Sequence, residues 1–117
     1  MKAALYVYVS PELMGWKELL DHQKLRLREY ACEGGLEVAE VYCDFLGGKE
    51  SLGLLVEDAK AGKFSVVLTM SLKLLLRGTD FAQALRMPIM LGEVHIVTLD
   101  GMVNTFSGEE HLIGMYD

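Results

Sequence analysis

Residues 3–9 read Ala-Ala-Leu-Tyr-Val-Tyr-Val, and Ser10-Pro11 closes them. Unbroken apolar and aromatic side chains leave no polar face, however they alternate. That is the pattern of a strand covered on both faces in a parallel sheet. The next stretch has a different period. Trp16, Leu19, Leu20, Gln23, Leu27, Tyr30 and Ala31 recur at helical spacing, and Lys17, Glu18, Lys24, Arg26, Arg28 and Glu29 fill much of the opposite face. Leu25 falls off the stripe, and Gly34-Gly35 supplies a left-handed stop.

The alternation then repeats. Leu36 to Cys43 interleaves Leu36, Val38 and Tyr42 with Glu37 and Glu40, as a second strand with one wetter face does. Residues 44–49 form a loop. Ser51 is expected to cap a short helix carrying Leu52, Leu55, Val56 and Ala59 and ending at Gly62. Phe64 to Met70 is the third and most apolar strand, followed by the leucine-rich Leu72 to Leu76. Phe81 to Arg86 reads as helical, with Pro88 expected to end or kink it. Val94 to Leu99 is a fourth strand and Asp100-Gly101 a turn. Met102 to Phe106 is expected to add a short edge strand. Ser107 and Glu110 form a capping box for a last helix. This order implies an α/β fold: a mainly parallel sheet of four to five strands with helices on both faces.

Composition narrows the function. The 117 residues fit one domain, 1–117, with 51% hydrophobic and 24% charged side chains, which excludes disorder. Eleven basic against 17 acidic side chains give a net charge of -6, which argues against a stand-alone nucleic-acid-binding module. Cys32 and Cys43 lack the density of a disulfide framework and read as thiols of a reducing compartment. Met1-Lys2 leads straight into the first strand without a secretory pattern. The longest apolar stretch, near Val66 to Leu76, is broken by Ser71 and Lys73 and falls short of the ~20 residues that span a bilayer. A cytoplasmic protein without a membrane partner is expected.

Cofactors and metals find little support. His22, His95 and His111 are scattered, and adjacent Glu109, Glu110 and His111 do not converge on one point of a helix. Gly47-Gly48-Lys49-Glu50-Ser51 lacks phosphate-loop spacing, and no GxGxxG follows the first strand. In open α/β sheets, sites form beyond the carboxyl ends of the strands. Ser10, Asp44 and the Ser71 to Arg77 segment are expected there. Ser-Pro after a strand also starts turns or caps helices. As a nucleophile, Ser10 has no His placed as an acyl-transfer base. In phosphoryl transfer it would need cations around the phosphate, and Lys49, Lys73 and Arg77 are the nearby ones.

Five stretches, in order, resemble the N-terminal catalytic domain of serine site-specific recombinases, the resolvase/invertase family. Ala4 to Ser10 resembles the family's opening strand, which usually ends Arg-Val-Ser. Gln23-Lys24-Leu25-Arg26-Leu27-Arg28-Glu29-Tyr30-Ala31 resembles its Gln-x-x-x-Leu-x-x-Tyr-Ala helix. Glu40 to Asp44 resembles its second strand and following acid. Leu52 to Leu68 is similar to the approach to its third strand, and Leu99 to Gly108 to the segment before its long dimerisation helix. The resemblance implies a resolvase-like, flavodoxin-like three-layer fold. It implies DNA strand cleavage and exchange through a serine–phosphodiester intermediate, with Ser10 as nucleophile and Arg77 stabilising the phosphate. Lys73, Lys49, Asp44 and Tyr8 fall at substrate-binding positions. No cofactor is implied. DNA is a partner only where a DNA-binding domain is joined, and a homo-oligomer is compatible. The chain is expected to end before the dimerisation helix and the DNA-binding domain.

The departures fall on the chemistry. The arginine expected two residues before the serine is Tyr8. The family's Leu-Asp-Arg-Leu-x-Arg reads Leu72-Lys73-Leu74-Leu75-Leu76-Arg77, so only Arg77 survives. Its Arg-Pro pair before the second helix is replaced near Lys49-Glu50. The Gln after the serine is absent from Glu12-Leu13-Met14. Each lost arginine removes an oriented bidentate phosphate contact, so weak or no activity is expected. Two alternatives stay open: a non-catalytic protein–protein interaction module on the same fold, with an apolar surface at Tyr8 and Leu72 to Leu76, and a small-molecule binder on a flavodoxin-like sheet.

Overall fold

A computed structural model of the chain describes residues 1–10, 12, 14–45, 48–76 and 80–107. Four strands form one sheet: β1 Lys2–Val9, β2 Glu37–Phe45, β3 Val66–Thr69 and β4 His95–Thr98. Their order is β2-β1-β3-β4, and every pairing is parallel. The helices are α1 Trp16–Glu33, α2 Glu50–Lys60, a single turn α3 Leu72–Leu75, and α4 Asp80–Met90.

The period-two alternation of β1 explains the three layers. Ala3, Leu5 and Val7 pack with Val66, Leu68 and Val97 against Leu27 and Ala31 of α1. Ala4 and Tyr6 face the other way, into a larger cluster with Val67 and Ile96 of the sheet and Leu55, Leu75 and Leu85 of the helices. Both faces of β1 are therefore covered. Leu25 is 56% exposed, off the stripe as its spacing predicts. The stripe itself is narrower than its spacing suggests, since Leu19 and Tyr30 are also exposed.

Helix α1 ends on the expected left-handed glycine, Gly35, with φ +70°. The Gly35 N–H donates to the Cys32 carbonyl at 3.1 Å and the Leu36 N–H to Ala31 at 2.8 Å, a Schellman stop. The same pair of bonds ends α4: Gly92 N–H to Ile89 and Glu93 N–H to Pro88. Here sequence expectation and structure part. Pro88 neither ends the helix at its own position nor precedes its end by a full turn, because α4 runs on to Met90. A proline in the last turn forfeits one backbone bond, whereas Gly92 provides the stop.

Two further expectations change. Ser51 does not cap α2. Lys49 occupies the cap position without a side-chain bond, and the Ser51 hydroxyl instead donates to the Cys43 carbonyl at 2.8 Å. Residues 102–106 do not form a strand. Asn104 makes one antiparallel bridge to Val97 and the chain then turns into a 3₁₀ element, Thr105–Ser107. The segment is tied down by side chains: the Ile96 N–H donates to the Thr105 hydroxyl at 3.0 Å, and His95 stacks on Phe106 at 3.9 Å. The helix expected beyond Ser107 lies outside the described residues.

Candidate functional site

The strand order places a topological switch between β1 and β3. The connection from β1 leads to β2 on one side, and that from β3 leads to β4 on the other. Crevices at such points, beyond the carboxyl ends of the strands, are where open α/β sheets bind ligands. Ser10 is the first residue past β1 and is half-buried. The last β1–β3 pair is Tyr6 with Thr69, whereas β1 stays paired with β2 through Val9 and Phe45. The end of β1 therefore projects beyond β3 into the switch region. Tyr8 and Asp44 lie side by side in the β1–β2 register. Lys49 occupies the cap position of α2 and Lys73 lies in α3, both at this same end. Arg77 lies outside the described residues.

Asp44 is 4% exposed. Its Oδ2 accepts from the Tyr6 hydroxyl at 2.7 Å and the Leu52 N–H at 3.0 Å, and its Oδ1 from the Ser51 N–H at 2.9 Å. One carboxylate at the end of β2 thus caps α2 from outside and ties it to β1. Asp100 repeats the device for α3. Its Oδ2 accepts from the Leu72 N–H at 3.2 Å, and its Oδ1 from the Thr98 hydroxyl at 2.6 Å and the Met102 N–H at 3.0 Å. Burial pushes the Asp100 pKa up, but the bonds from Thr98, Met102, Leu72 and Ser71 outweigh it, and the net shift is downward. A carboxyl with a depressed folded pKa stabilises the fold above its unfolded pKa and loses that contribution as pH falls through the folded one. The urea midpoint of the wild type is therefore expected to drop more than that of Asp100→Asn between about pH 5 and about pH 2.

The leucine run divides. Leu72 and Leu75 are buried in the core, and Leu74 and Leu76 pack against it from its margin. Tyr8 packs against the same cluster. Beside them a groove of about 530 Å³ is lined by Leu72, Lys73, Leu76, Asp100 and Met102. Where the resemblance leads one to expect cations, the surroundings are thus partly apolar. Burial, with a smaller contribution from Asp44, pushes the Cys43 thiol up against the opposing pull of Lys24. That keeps it protonated and a poor nucleophile. Among the described residues no cluster of three His, Cys, Asp or Glu is arranged to hold a metal, and no helix is long and apolar enough to cross a membrane.

Sequence reasoning missed the roles of Tyr6, Gln23 and Asp100. A buried tyrosine hydroxyl demands a partner, so Tyr6 carried a signal. Asp100 reads only as a turn residue, since its partner Leu72 is 28 positions away.

No protein-family model matches the chain, and no curated protein matches its sequence. Solved structures do. The N-terminal catalytic domain of TP901-1 integrase superposes with a TM-score of 0.76 at 23% identity, covering 99% of this chain and 91% of that one. A resolvase family site-specific recombinase from Streptococcus pneumoniae gives 0.77 at 22%, covering 99% and 83%. The C-terminal catalytic domain of ISC1926 TnpA, an IS607-like serine recombinase, gives 0.70 at 22%, covering 98% and 78%. The chain has the resolvase-like α/β fold of serine-recombinase catalytic domains.

Proposed function

We propose that the chain is a serine-recombinase-type catalytic domain whose Ser10 Oγ attacks a DNA phosphodiester, with weak turnover. One observation carries this reading: a fold shared over nearly the whole chain with catalytic domains of that kind, with Ser10 past β1 at the switch point. In the step proposed, the serine Oγ–P bond forms and the P–O bond to a sugar oxygen breaks. The hydroxyl proton passes to solvent and the leaving oxygen takes one up. Lys49, Lys73 and Arg77 supply the positive charge for the phosphorane. Tyr8 and Leu74 supply none, which accounts for the weak turnover.

The test is a suicide DNA duplex carrying a phosphorothiolate at the scissile position, where a sulfur leaving group makes cleavage irreversible. A low yield of denaturation-resistant protein–DNA adduct is expected, absent in Ser10→Ala. No Ser10-dependent adduct at any site tested would overturn catalysis. A second reading, a non-catalytic interaction module, draws on the groove at Leu72, Leu76 and Met102. It requires self-association at micromolar concentration that Leu76→Asp abolishes, and a strict monomer in sedimentation with no partner in pull-down counts against it.

A further inference from the structure

In a parallel sheet the N–H and C=O of one residue point to the same neighbouring strand, and residues two apart point the same way. The Tyr6 carbonyl accepts from the Thr69 hydroxyl at 2.9 Å, so Tyr6 faces β3. Tyr8 faces the same side, but β3 has ended: its last pair with β1 is Tyr6 with Thr69. The ladder thus supplies no β3 partners for the N–H and C=O of Tyr8, two residues before Ser10. The carboxamide of Gln23 takes their place. Its Nε2 donates to the Tyr8 carbonyl at 3.0 Å, and the Tyr8 N–H donates to its Oε1 at 3.4 Å. A planar carboxamide, using one N–H and its oxygen, reproduces the bonding of a peptide unit of the absent strand. Gln23 is half-buried on α1, which covers the opposite face of the sheet from the Tyr8 ring.

We infer that Gln23 is a positioning residue: its side chain extends the β3 ladder past the end of β3 and fixes the projecting end of β1 that carries Ser10. This rests on the reading of Ser10 as nucleophile only for its catalytic consequence. The clamp itself is independent of that reading. Val9 and Phe45 still pair β1 with β2, so without Gln23 the end of β1 loses two hydrogen bonds on its β3 side. A nucleophile on a less restrained strand samples more orientations, and misplacement by a fraction of an ångström slows displacement without weakening distant DNA contacts.

The experiment compares the full chain with Gln23→Met, which keeps volume and loses both polar atoms, and Gln23→Glu. The first arm measures amide hydrogen exchange and ¹⁵N resonances. In Gln23→Met the Tyr8 amide is expected to exchange about tenfold faster, with resonance changes reaching Ser10 while the Leu5 and Leu68 amides keep their protection. In Gln23→Glu the ionised carboxylate cannot donate to the Tyr8 carbonyl, but the protonated acid can. Its Tyr8 to Ser10 resonances are expected to return toward wild-type positions as pH falls through the pKa of the introduced carboxyl, and those of Gln23→Met are not. A merely space-filling Gln23 would show no such pH rescue. Unchanged Tyr8 exchange in Gln23→Met, or no rescue in Gln23→Glu, overturns the clamp. The second arm measures adduct formation on the phosphorothiolate duplex. The maximal rate of Gln23→Met is expected to fall about tenfold at unchanged half-saturating DNA. An unchanged maximal rate overturns the positioning role. A wild type that forms no Ser10 adduct overturns the recombinase reading and the catalytic role together, and the first arm then still decides the clamp.

Discussion

Asp44→Ala is expected to destabilise the fold by about 3–5 kcal/mol, read as a lower urea midpoint at unchanged slope. The carboxylate is buried and accepts from the Tyr6 hydroxyl and from the N–H groups of Ser51 and Leu52. Truncation leaves all three without this acceptor, two of them, the Tyr6 hydroxyl and the Leu52 N–H, in buried surroundings. Each buried unsatisfied group costs roughly 1–3 kcal/mol, and the cost is not offset by a gain in apolar packing. Two of the donors begin α2, whose own cap residue, Lys49, makes no side-chain bond. Losing Asp44 therefore also frays the start of a helix that contributes Leu52, Leu55, Val56 and Ala59 to the core. Asp44→Asn keeps the shape and one good acceptor and is expected to cost less than Asp44→Ala. Tyr6→Phe, which removes one charge-assisted donor but keeps the ring, is expected to cost about 1.5–3 kcal/mol. A double-mutant cycle between positions 6 and 44 should show strong coupling. An Asp44→Ala protein within about 1 kcal/mol of wild type would sink this account, since only a surface carboxylate behaves that way.

Asp44 also marks the boundary of what could be read in the sequence. Its place at the end of the second strand was legible from alternation alone, because Leu36 to Cys43 has a strand period and the strand needs an end. Its job was not, because the groups it binds come from β1 and from the first turn of α2. Local rules chose Ser51 as the cap. Tertiary structure put a carboxylate there first and turned the Ser51 hydroxyl back onto β2. Pro88 marks the helix end only loosely: α4 runs past it but ends within a turn, at Met90. The 3–9 run and the α1 stripe were read well because burial on both faces of a strand, or on one face of a helix, leaves its period in the residues themselves. Gln23 shows the limit. It appeared as one more member of the stripe, and nothing local indicates that β3 stops two residues too soon to pair with Tyr8. The candidate site is thus legible as a set of positions at the ends of the strands, and much less so as a set of contacts.

On the proposed recombinase reading, placing guanidinium groups at positions 8 and 74 is the substitution with the largest expected effect on chemistry. Tyr8 and Leu74 stand where the resemblance places arginines. Both are half-buried and pack against the same cluster on the α2 side of the sheet. An arginine at either position can keep its stem on that apolar surface and extend the guanidinium to solvent. The expected stability cost is therefore modest, about 1–2 kcal/mol for the pair. One oriented donor to a developing phosphorane contributes about 10²–10³ in rate. Tyr8→Arg with Leu74→Arg is accordingly expected to raise adduct formation on the phosphorothiolate duplex by ~10⁴, toward the low end of the multiplied range because both would act on one phosphate. Lysines at the same positions should recover only part of this, since a point charge lacks the planar fork. Ser10→Ala in the arginine background separates catalysis from simple DNA retention: the gain in adduct disappears while any gain in binding, and its loss with added salt, remains. A doubly substituted protein that folds and binds the duplex but forms no more adduct than wild type would mean that charge is not what this site lacks. The barrier would then lie in the apolar groove beside Leu72 and Leu76, and the interaction-module reading would gain what the recombinase reading lost.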